Sequence, residues 1–148
     1  MKSKLLHEAT GARTFAVVLD EGDEVVASLT SFASTTHVGA SHFTAIGAFS
    51  TAVVAYFDWS TRKYQHIAIA EQVEVLSLIG DIADDRGAPK IHAHVVLGKA
   101  DATAHGGHLI SGRVRPTLEI VLTEVPPHLR RRFNPDSGLA LIDLTATQ

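Results

Sequence analysis

The chain has 148 residues, of which 45% are hydrophobic and 20% charged; this is an ordinary composition for a soluble globular protein and predicts one domain spanning residues 1–148. It contains no cysteine, so disulfides and thiolate metal sites are excluded and only His, Asp and Glu remain as metal ligands. The formal net charge of −3 gives no general attraction to nucleic acid or to an anionic membrane.

The sequence predicts neither a signal peptide nor a transmembrane helix. The segment MKSKLLHEATG has lysines but lacks the apolar core of a signal peptide. No apolar run approaches the length of a transmembrane helix. We therefore expect a cytoplasmic protein with no membrane partner.

The first half of the chain predicts one helix between strands. Thr14–Leu19 (TFAVVL) is a short apolar run typical of a strand. An acidic turn over residues 20–24 then leads into apolar residues that recur at helical spacing from Val25 to about Ser34, which predicts an amphipathic helix. Further strands are predicted at 40–48 and 51–59, joined by a tight turn at Phe49-Ser50, and at 64–68 and 73–79.

The second half of the chain predicts only loops and strands. They are a polar loop at 83–89, a histidine-rich hairpin at 91–109, and strands at 117–124 and 139–144. This order favours an α+β fold in which a mostly antiparallel β-sheet carries one main helix. Because sheet edges in a small domain need covering, a homo-oligomer is expected.

The hairpin contains the strongest functional pattern. His92 and His94 are two residues apart in an apolar strand, so both imidazoles point to the same face. If the hairpin tip is centred near Asp101, antiparallel partners have residue numbers that sum to about 202. His108 then lies opposite His94, and three imidazoles converge on one face.

The same parity separates His105 from this cluster, because His105 pairs near Leu97 and points to the other face. A bulge at Gly106-Gly107 would reverse the faces. Neutral imidazole binds zinc, copper, iron and nickel well, and three histidines with an open fourth position are common at catalytic zinc. We therefore predict a divalent metal ion, zinc or a similar borderline ion, at the three histidines His92, His94 and His108. The alternative is that they are structural, since a chain with nine histidines produces such pairs by chance.

Three further features are weighed against simpler interpretations. Glu119 is a candidate to orient an imidazole or to act as a fourth ligand. His42 approaches the cluster only if its strand adjoins the hairpin. The run Arg130-Arg131-Arg132 is typical of a solvated turn; the alternative is a grip on phosphate.

Eight segments, in order along the chain, carry a resemblance to a known family. They are GDEVV at the helix start, HFTAIGAFS, VAYFDWSTRKY, VEVLSLIGDI, GAPKIHAHVVLG, GGHLISG, LEIVL and SGLALIDL, and they cover nearly the whole chain. The combination of HAHVVLG with GGHL is the most specific part. On these segments the chain resembles a bacterial stand-alone member of the PPC (plants and prokaryotes conserved) domain family.

The resemblance implies a sandwich-like domain on a mostly antiparallel sheet, assembled as a homotrimer. It also implies a metal site at the positions of His92, His94 and His108. Plant members carry an AT-hook, a short basic segment that enters the DNA minor groove. This chain has no AT-hook, and its N-terminus is not basic.

Together these observations lead to two functional expectations. The first is a trimeric PPC-type binding or regulatory module with a three-His metal site and, by family resemblance, a provisional DNA-binding role. The alternative is a metal-dependent enzyme, a hydrolase or lyase acting on a small molecule. That enzyme needs a general base, which Glu74 or Glu119 would have to supply within hydrogen-bond reach of the open metal position. DNA binding without sequence preference predicts an affinity that falls steeply with salt.

Overall fold

The computed structural model describes residues 1–125 and 129–145, which form nine strands and one helix. Within these residues, no helix combines the length and apolar character needed to cross a bilayer. The elements are β1 (Lys2–Ala9), β2 (Ala12–Asp20), α1 (Val25–Thr36), β3 (Ser41–Asp58), β4 (Lys63–Ile69), β5 (Val73–Asp85), β6 (Ala88–Gly98), β7 (Ala104–Glu124), β8 (Arg131–Asn134) and β9 (Leu139–Ile142).

Seven of these strands form one antiparallel sheet in the order β1-β2-β7-β6-β5-β3-β4. Strand β7 also pairs with β3, so β3, β5, β6 and β7 close into a ring of neighbouring strands. Strands β8 and β9 form a separate hairpin. A mostly antiparallel sheet with a single short helix confirms the coarse expectation for the fold, in which the helix is a minor part.

The helix packs against the core and is fixed at its start. Its buried residues are Val25, Leu29, Phe32 and Ala33, the spacing of one apolar helix face. The Glu24 carboxylate accepts hydrogen bonds from two backbone N–H groups in the first turn and from the Gly112 N–H of β7. The helix is therefore tied at its first turn to the strand that carries His108.

The predicted tight turn at Phe49-Ser50 is wrong, because β3 runs unbroken through it. The Phe49 side chain is fully buried. The pairing of β3 with β7 shifts register between Gly47 and Phe49 and again between Phe49 and Thr51. These irregularities bend the strand and interrupt the alternation of apolar and polar residues, and this is why the sequence pattern suggested a turn.

The predicted loop at 83–89 is also wrong, because most of it is strand. Strand β5 extends to Asp85 and β6 begins at Ala88, with Arg86 and Gly87 as the turn between them. Both turn residues have positive φ, 61° and 85°, as in the tight turns that suit the twist of a hairpin. This turn fixes the register of β5 against β6 and therefore decides which β5 side chains lie next to the histidines.

Two other regions differ from expectation. Strand β1 was not predicted, because its eight residues are all exposed and show no alternation of burial. Arg131 and Arg132 lie in β8 and not in a solvated turn. The predicted strand 139–144 is confirmed in position, as β9, but ends at Ile142.

Candidate metal centre

The three histidines lie on adjacent strands. His92 and His94 are on β6, and His94 lies directly opposite His108 of β7. Gly106 and Gly107 pair with successive β6 residues without a bulge, so the parity argument holds. The predicted register of the hairpin is confirmed.

The two glycines before His108 are required by close backbone approach. A Cβ atom added to Gly107 would lie 2.8 Å from the backbone oxygen of Ala55 on β3, and one added to Gly106 would lie 2.9 Å from the Val95 oxygen on β6. Both distances are shorter than ordinary van der Waals contact. The glycine pair therefore lets β7 pass between its neighbours at the point where it presents His108.

The imidazoles are close enough to share one ion. Ring centroids are 5.3 Å apart for His92 and His94, 5.1 Å for His92 and His108, and 5.4 Å for His94 and His108. One ring nitrogen from each can be chosen so that all three lie within 4.8 Å of one another. Three ligands on one tetrahedral zinc ion sit about 3.3 Å apart, so modest side-chain rotation would complete the site.

The donor set also fits a cation chemically. The Nδ1 atom of His108 is buried and has no hydrogen-bond partner. Such an unsatisfied atom is unusual in a folded protein and is often explained by an ion or water. Burial, with the nearby His92 and His94, lowers the pKa of His108 to about 4, and burial also lowers the pKa of His94. Both are therefore neutral at pH 7, the form that binds metal.

An ion pair supports the cluster from one side. Asp81 of β5 lies opposite His92, and its Oδ2 is 3.6 Å from His92 Nδ1. Arg131 Nη2 donates to both Asp81 oxygens, at 2.7 and 2.9 Å, and lies 3.2 Å from His92 Nδ1. These contacts fix the orientation of the His92 ring, as partners of metal-binding histidines commonly do.

The ion pair of Asp81 and Arg131 stabilises the ionised form of Asp81 although the pair is partly buried. Burial acts to raise the pKa of Asp81, but interactions with His92 and Arg131 outweigh it and the pKa is lowered. The Arg131 side chain is only 6% exposed, and its Nη1 donates to the Ala140 backbone oxygen of β9. Arg131 thus joins the C-terminal hairpin to the histidine cluster.

An aromatic ring borders the cluster on another side. Tyr64 of β4 lies against His108, with ring centroids 4.8 Å apart and planes tilted by 30°. This contact restricts rotation of the imidazole. The pairing of β6 with β7 therefore positions the three histidines, while Asp81 and Arg131 orient His92 and Tyr64 orients His108.

The other candidates from the sequence lie outside the cluster. His105 pairs with Leu97, as predicted, and Glu74 pairs with Gly98. Glu119 of β7 has Val18 of β2 and Ile46 of β3 as its cross-strand partners, so it is not level with the histidines along the strands. Within residues 1–125 and 129–145, no group of three or more His, Asp or Glu side chains converges except these histidines.

His42 and the arginine run occupy different positions. His42 is exposed and pairs with Asp81, so Asp81 separates it from His92 across the sheet. Arg132 forms an ion pair with Asp143, and Arg130 is exposed. Of the three arginines, Arg131 is therefore buried in an ion pair, whereas Arg130 and Arg132 lie at the surface.

Asp81, Arg131 and Tyr64 were missed as site residues. A turn centred on Arg86-Gly87 would have placed Asp81 opposite His92 by counting outward along both strands. Arg131 and Tyr64 reach the site through tertiary contacts, for which the local sequence carries no comparable pattern.

Comparison with known proteins gives a consistent result. The family model of the Plants and Prokaryotes Conserved (PCC) domain matches residues 6–126 of the chain. The chain is 29% identical to a plant- and prokaryote-conserved (PPC) protein from Pyrococcus horikoshii, with a TM-score of 0.85, over 91% of this chain and 94% of that one. No curated protein matches it significantly.

Two further solved structures are similar and have informative names. One, called a metal-containing protein, is from Archaeoglobus fulgidus: identity is 32% and the TM-score 0.83, over 96% of this chain and 99% of that one. The other, from Bacteroides thetaiotaomicron, is named provisionally as a DNA-binding protein. Its identity is 26% and its TM-score 0.87, over 90% of this chain and 93% of that one.

Proposed function

Because this chain belongs to the Plants and Prokaryotes Conserved (PCC) domain family, we propose that it is a metal-binding module of that family, with His92, His94 and His108 as the ligands. The observation that carries the proposal is the convergence of three imidazoles from adjacent strands, together with the unsatisfied buried Nδ1 of His108. The similar Archaeoglobus protein, which is called metal-containing, supports it.

Zinc is the metal that the donors suit best. Three neutral imidazoles without a thiolate favour a borderline divalent ion over a hard ion such as magnesium or calcium. Three protein ligands leave at least one position for water or a small anion. When bound, the ion would supply a positive charge and an exchangeable coordination position at the surface of the sheet.

We favour a binding or regulatory role over a hydrolase or lyase. Enzyme chemistry at such an ion needs a group that can accept or donate a proton beside the open position. Asp81 is held by Arg131 in a close ion pair, while Glu74 and Glu119 lie in other rows of the sheet. The arrangement thus supports ligand binding at the ion more directly than catalysis.

We further propose that the protein is a homotrimer. One face of the sheet exposes large apolar side chains: Ile46 is 61% exposed, and the others are Leu76, Ile79, Val96 and Val121. An apolar surface of this kind marks a contact with another protein. Since His94 pairs with Ile79, this surface borders the metal centre. A second copy of the chain is the occupant that the trimer implied by the family resemblance requires, and it would cover this face.

A second proposed function is DNA binding, which the provisional name of the Bacteroides protein supports. The net charge is −3, and Arg131 and Arg132 are each paired with a carboxylate. Fluorescence anisotropy with a random duplex of DNA at 50 and 200 mM salt tests it. Binding that falls steeply with salt and is lost in Arg130→Ala with Arg132→Ala would support the role; no binding at 50 mM would exclude it.

The metal proposal is tested by the metal content of the purified untagged protein. We expect close to one equivalent of zinc per chain in the wild type and in His105→Ala, whose histidine lies on the same hairpin but outside the cluster. We expect loss of the metal in His94→Ala. A wild-type protein that holds no metal and takes up none when zinc is offered would contradict the proposal.

A further inference from the structure

A cavity of about 540 Å³ adjoins the metal centre, with His92 and His108 in its wall. One side of the cavity is the main sheet, which contributes Lys90 and Tyr64. The other side is the C-terminal hairpin, β8 and β9, which contributes Phe133. Its volume lies within the range of small-molecule sites.

The cavity is rich in positive charge. Among the described residues that line it, Arg86, Lys90 and Arg131 are cationic, and Asp85 is the one carboxylate. Asp85 faces two of these cations, with Arg86 Nε at 3.7 Å and Lys90 Nζ at 4.0 Å, so one carboxylate is shared loosely between two positive side chains. A metal ion at the histidines would add further positive charge. The chemistry of the wall therefore favours an anion.

Arg131 lines this wall and is almost fully buried. Its side chain is 6% exposed, and its Nη atoms are occupied by Asp81 and by the Ala140 oxygen. Its Nε is buried and has no hydrogen-bond partner. Asp81 offsets the charge of the guanidinium, so what remains uncompensated is the Nε donor, and a buried donor without a partner is costly.

The rest of the lining is apolar or aromatic. Tyr64 and Ile91 lie on the sheet side, and Phe133, Leu139 and Leu141 lie on the hairpin side. Phe133 is 56% exposed although it is a large aromatic residue. Covering such a ring is favourable, at about 25 cal/mol for each Å² of apolar surface removed from water. A bare inorganic anion would leave these walls uncovered.

We propose that this cavity binds a small organic carboxylate with a compact apolar body. The carboxylate lies towards Lys90, Arg86 and the metal centre, and the apolar body lies between Tyr64 and the C-terminal hairpin. The inference rests on the proposed metal site, because the bound ion would supply part of the attraction. It names the class of ligand that the module binds.

The experiment is calorimetric titration of the zinc-loaded full-length protein. The ligands are benzoate and 3-methylbutanoate, with benzamide as a neutral molecule of nearly the same shape as benzoate, and inorganic phosphate as an anion without an apolar body. The variant is Lys90→Met, which keeps the apolar stem and removes the charge. Its control is Arg132→Met, which removes a cation from β8 that does not line the cavity.

We expect at least one carboxylate to bind tenfold or more tightly than benzamide and phosphate. Lys90→Met should weaken that binding at least tenfold, and Arg132→Met should leave it within twofold. Equal binding of benzoate and benzamide, preferred binding of phosphate, or no binding of either carboxylate would overturn the inference. Zinc content is measured in each sample, so failure of the carboxylate site is distinguished from failure of the metal site.

Discussion

His94 and His108 are direct partners across the β6–β7 ladder, on the same face, with their ring centroids 5.4 Å apart. Their separation is therefore set by backbone hydrogen bonds between two strands and not by the conformation of a loop. His92 joins them because it is two residues from His94 on the same strand. A site built in this way is positioned by the fold before any ion binds.

The first prediction concerns the glycine that lets β7 pass close to β3. Gly107→Ala would bring a Cβ atom to 2.8 Å from the Ala55 oxygen and would displace the strand beside His108. We expect a loss of about 1–3 kcal/mol in the free energy of unfolding and weaker zinc binding. Gly39→Ala is the control, because an added Cβ there meets no atom within 4 Å. Equal stability of the two variants in urea unfolding would refute this explanation of the glycine pair.

The second prediction concerns the ion pair behind His92. Asp81→Asn would leave the Arg131 guanidinium, 6% exposed, without its carboxylate. We expect a loss of about 3 kcal/mol in the free energy of unfolding and a decrease of roughly 10- to 100-fold in zinc affinity as the His92 ring loses its partner. Chemical unfolding and zinc titration against a competing chelator measure the two effects.

Asp143→Asn is the matched control for this change. Asp143 pairs with Arg132, whose side chain is 71% exposed. Asp143 itself is 11% exposed, but the guanidinium it would leave unpaired is in contact with water. A pair with one solvated partner contributes little, so we expect a smaller change in stability than for Asp81→Asn and unchanged zinc affinity. If Asp143→Asn weakened zinc binding as much as Asp81→Asn, the assignment of Asp81 as the positioning residue would be wrong.

The third prediction is the pH dependence of the metal-free protein. The pKa of His108 is lowered from 6.5 to about 4 in the folded chain, mainly by burial. Between these values the unfolded chain binds more protons than the folded chain, so stability falls as the pH falls. Since the side chain is only half-buried, we expect a loss of about 1–2 kcal/mol between pH 7 and pH 4.5.

This dependence should be smaller in His108→Gln, which lacks the titrating group. Unfolding in urea at pH 7, 5.5 and 4.5, with a chelator present, gives the comparison. Identical pH profiles for the wild type and His108→Gln would show that His108 is not the group responsible.

The fourth prediction concerns the apolar face of the sheet. Val121 is 52% exposed on this face, and a glutamate there would be buried without a partner if the chain forms a trimer through it. We expect Val121→Glu to lower the molar mass measured by light scattering from three chains to one. Ile67→Glu, which changes a 48% exposed residue on β4 away from this face, should leave the trimer intact. A monomeric wild type would contradict the proposed assembly.

The sequence predicted the histidine hairpin well because its information is local. The alternation of side chains along His92–His94 and the count across a tip near Asp101 together place His108 opposite His94, as observed. The helix start at Val25 was predicted for a similar reason, since its apolar spacing and the preceding acidic residues are close in sequence.

Features that depend on tertiary contacts were predicted poorly. The continuity of β3 through Phe49 is visible only once β5 and β7 are in place on either side of it. Arg131 follows a proline pair at Pro126-Pro127, which lies outside the described residues, and reaches Asp81 only because β8 folds back against the sheet. An arginine run looks the same in sequence whether its side chains face water or a buried carboxylate.

The most direct test of the metal centre is X-ray absorption spectroscopy at the zinc edge of the loaded protein. Three imidazole nitrogens at about 2.0 Å, with one further light ligand, are the result expected from a site made of His92, His94 and His108. His94→Ala should reduce the imidazole contribution, and His105→Ala should leave the spectrum unchanged. A wild-type spectrum fitted by oxygen ligands alone, or by a single imidazole, would contradict the three-histidine site.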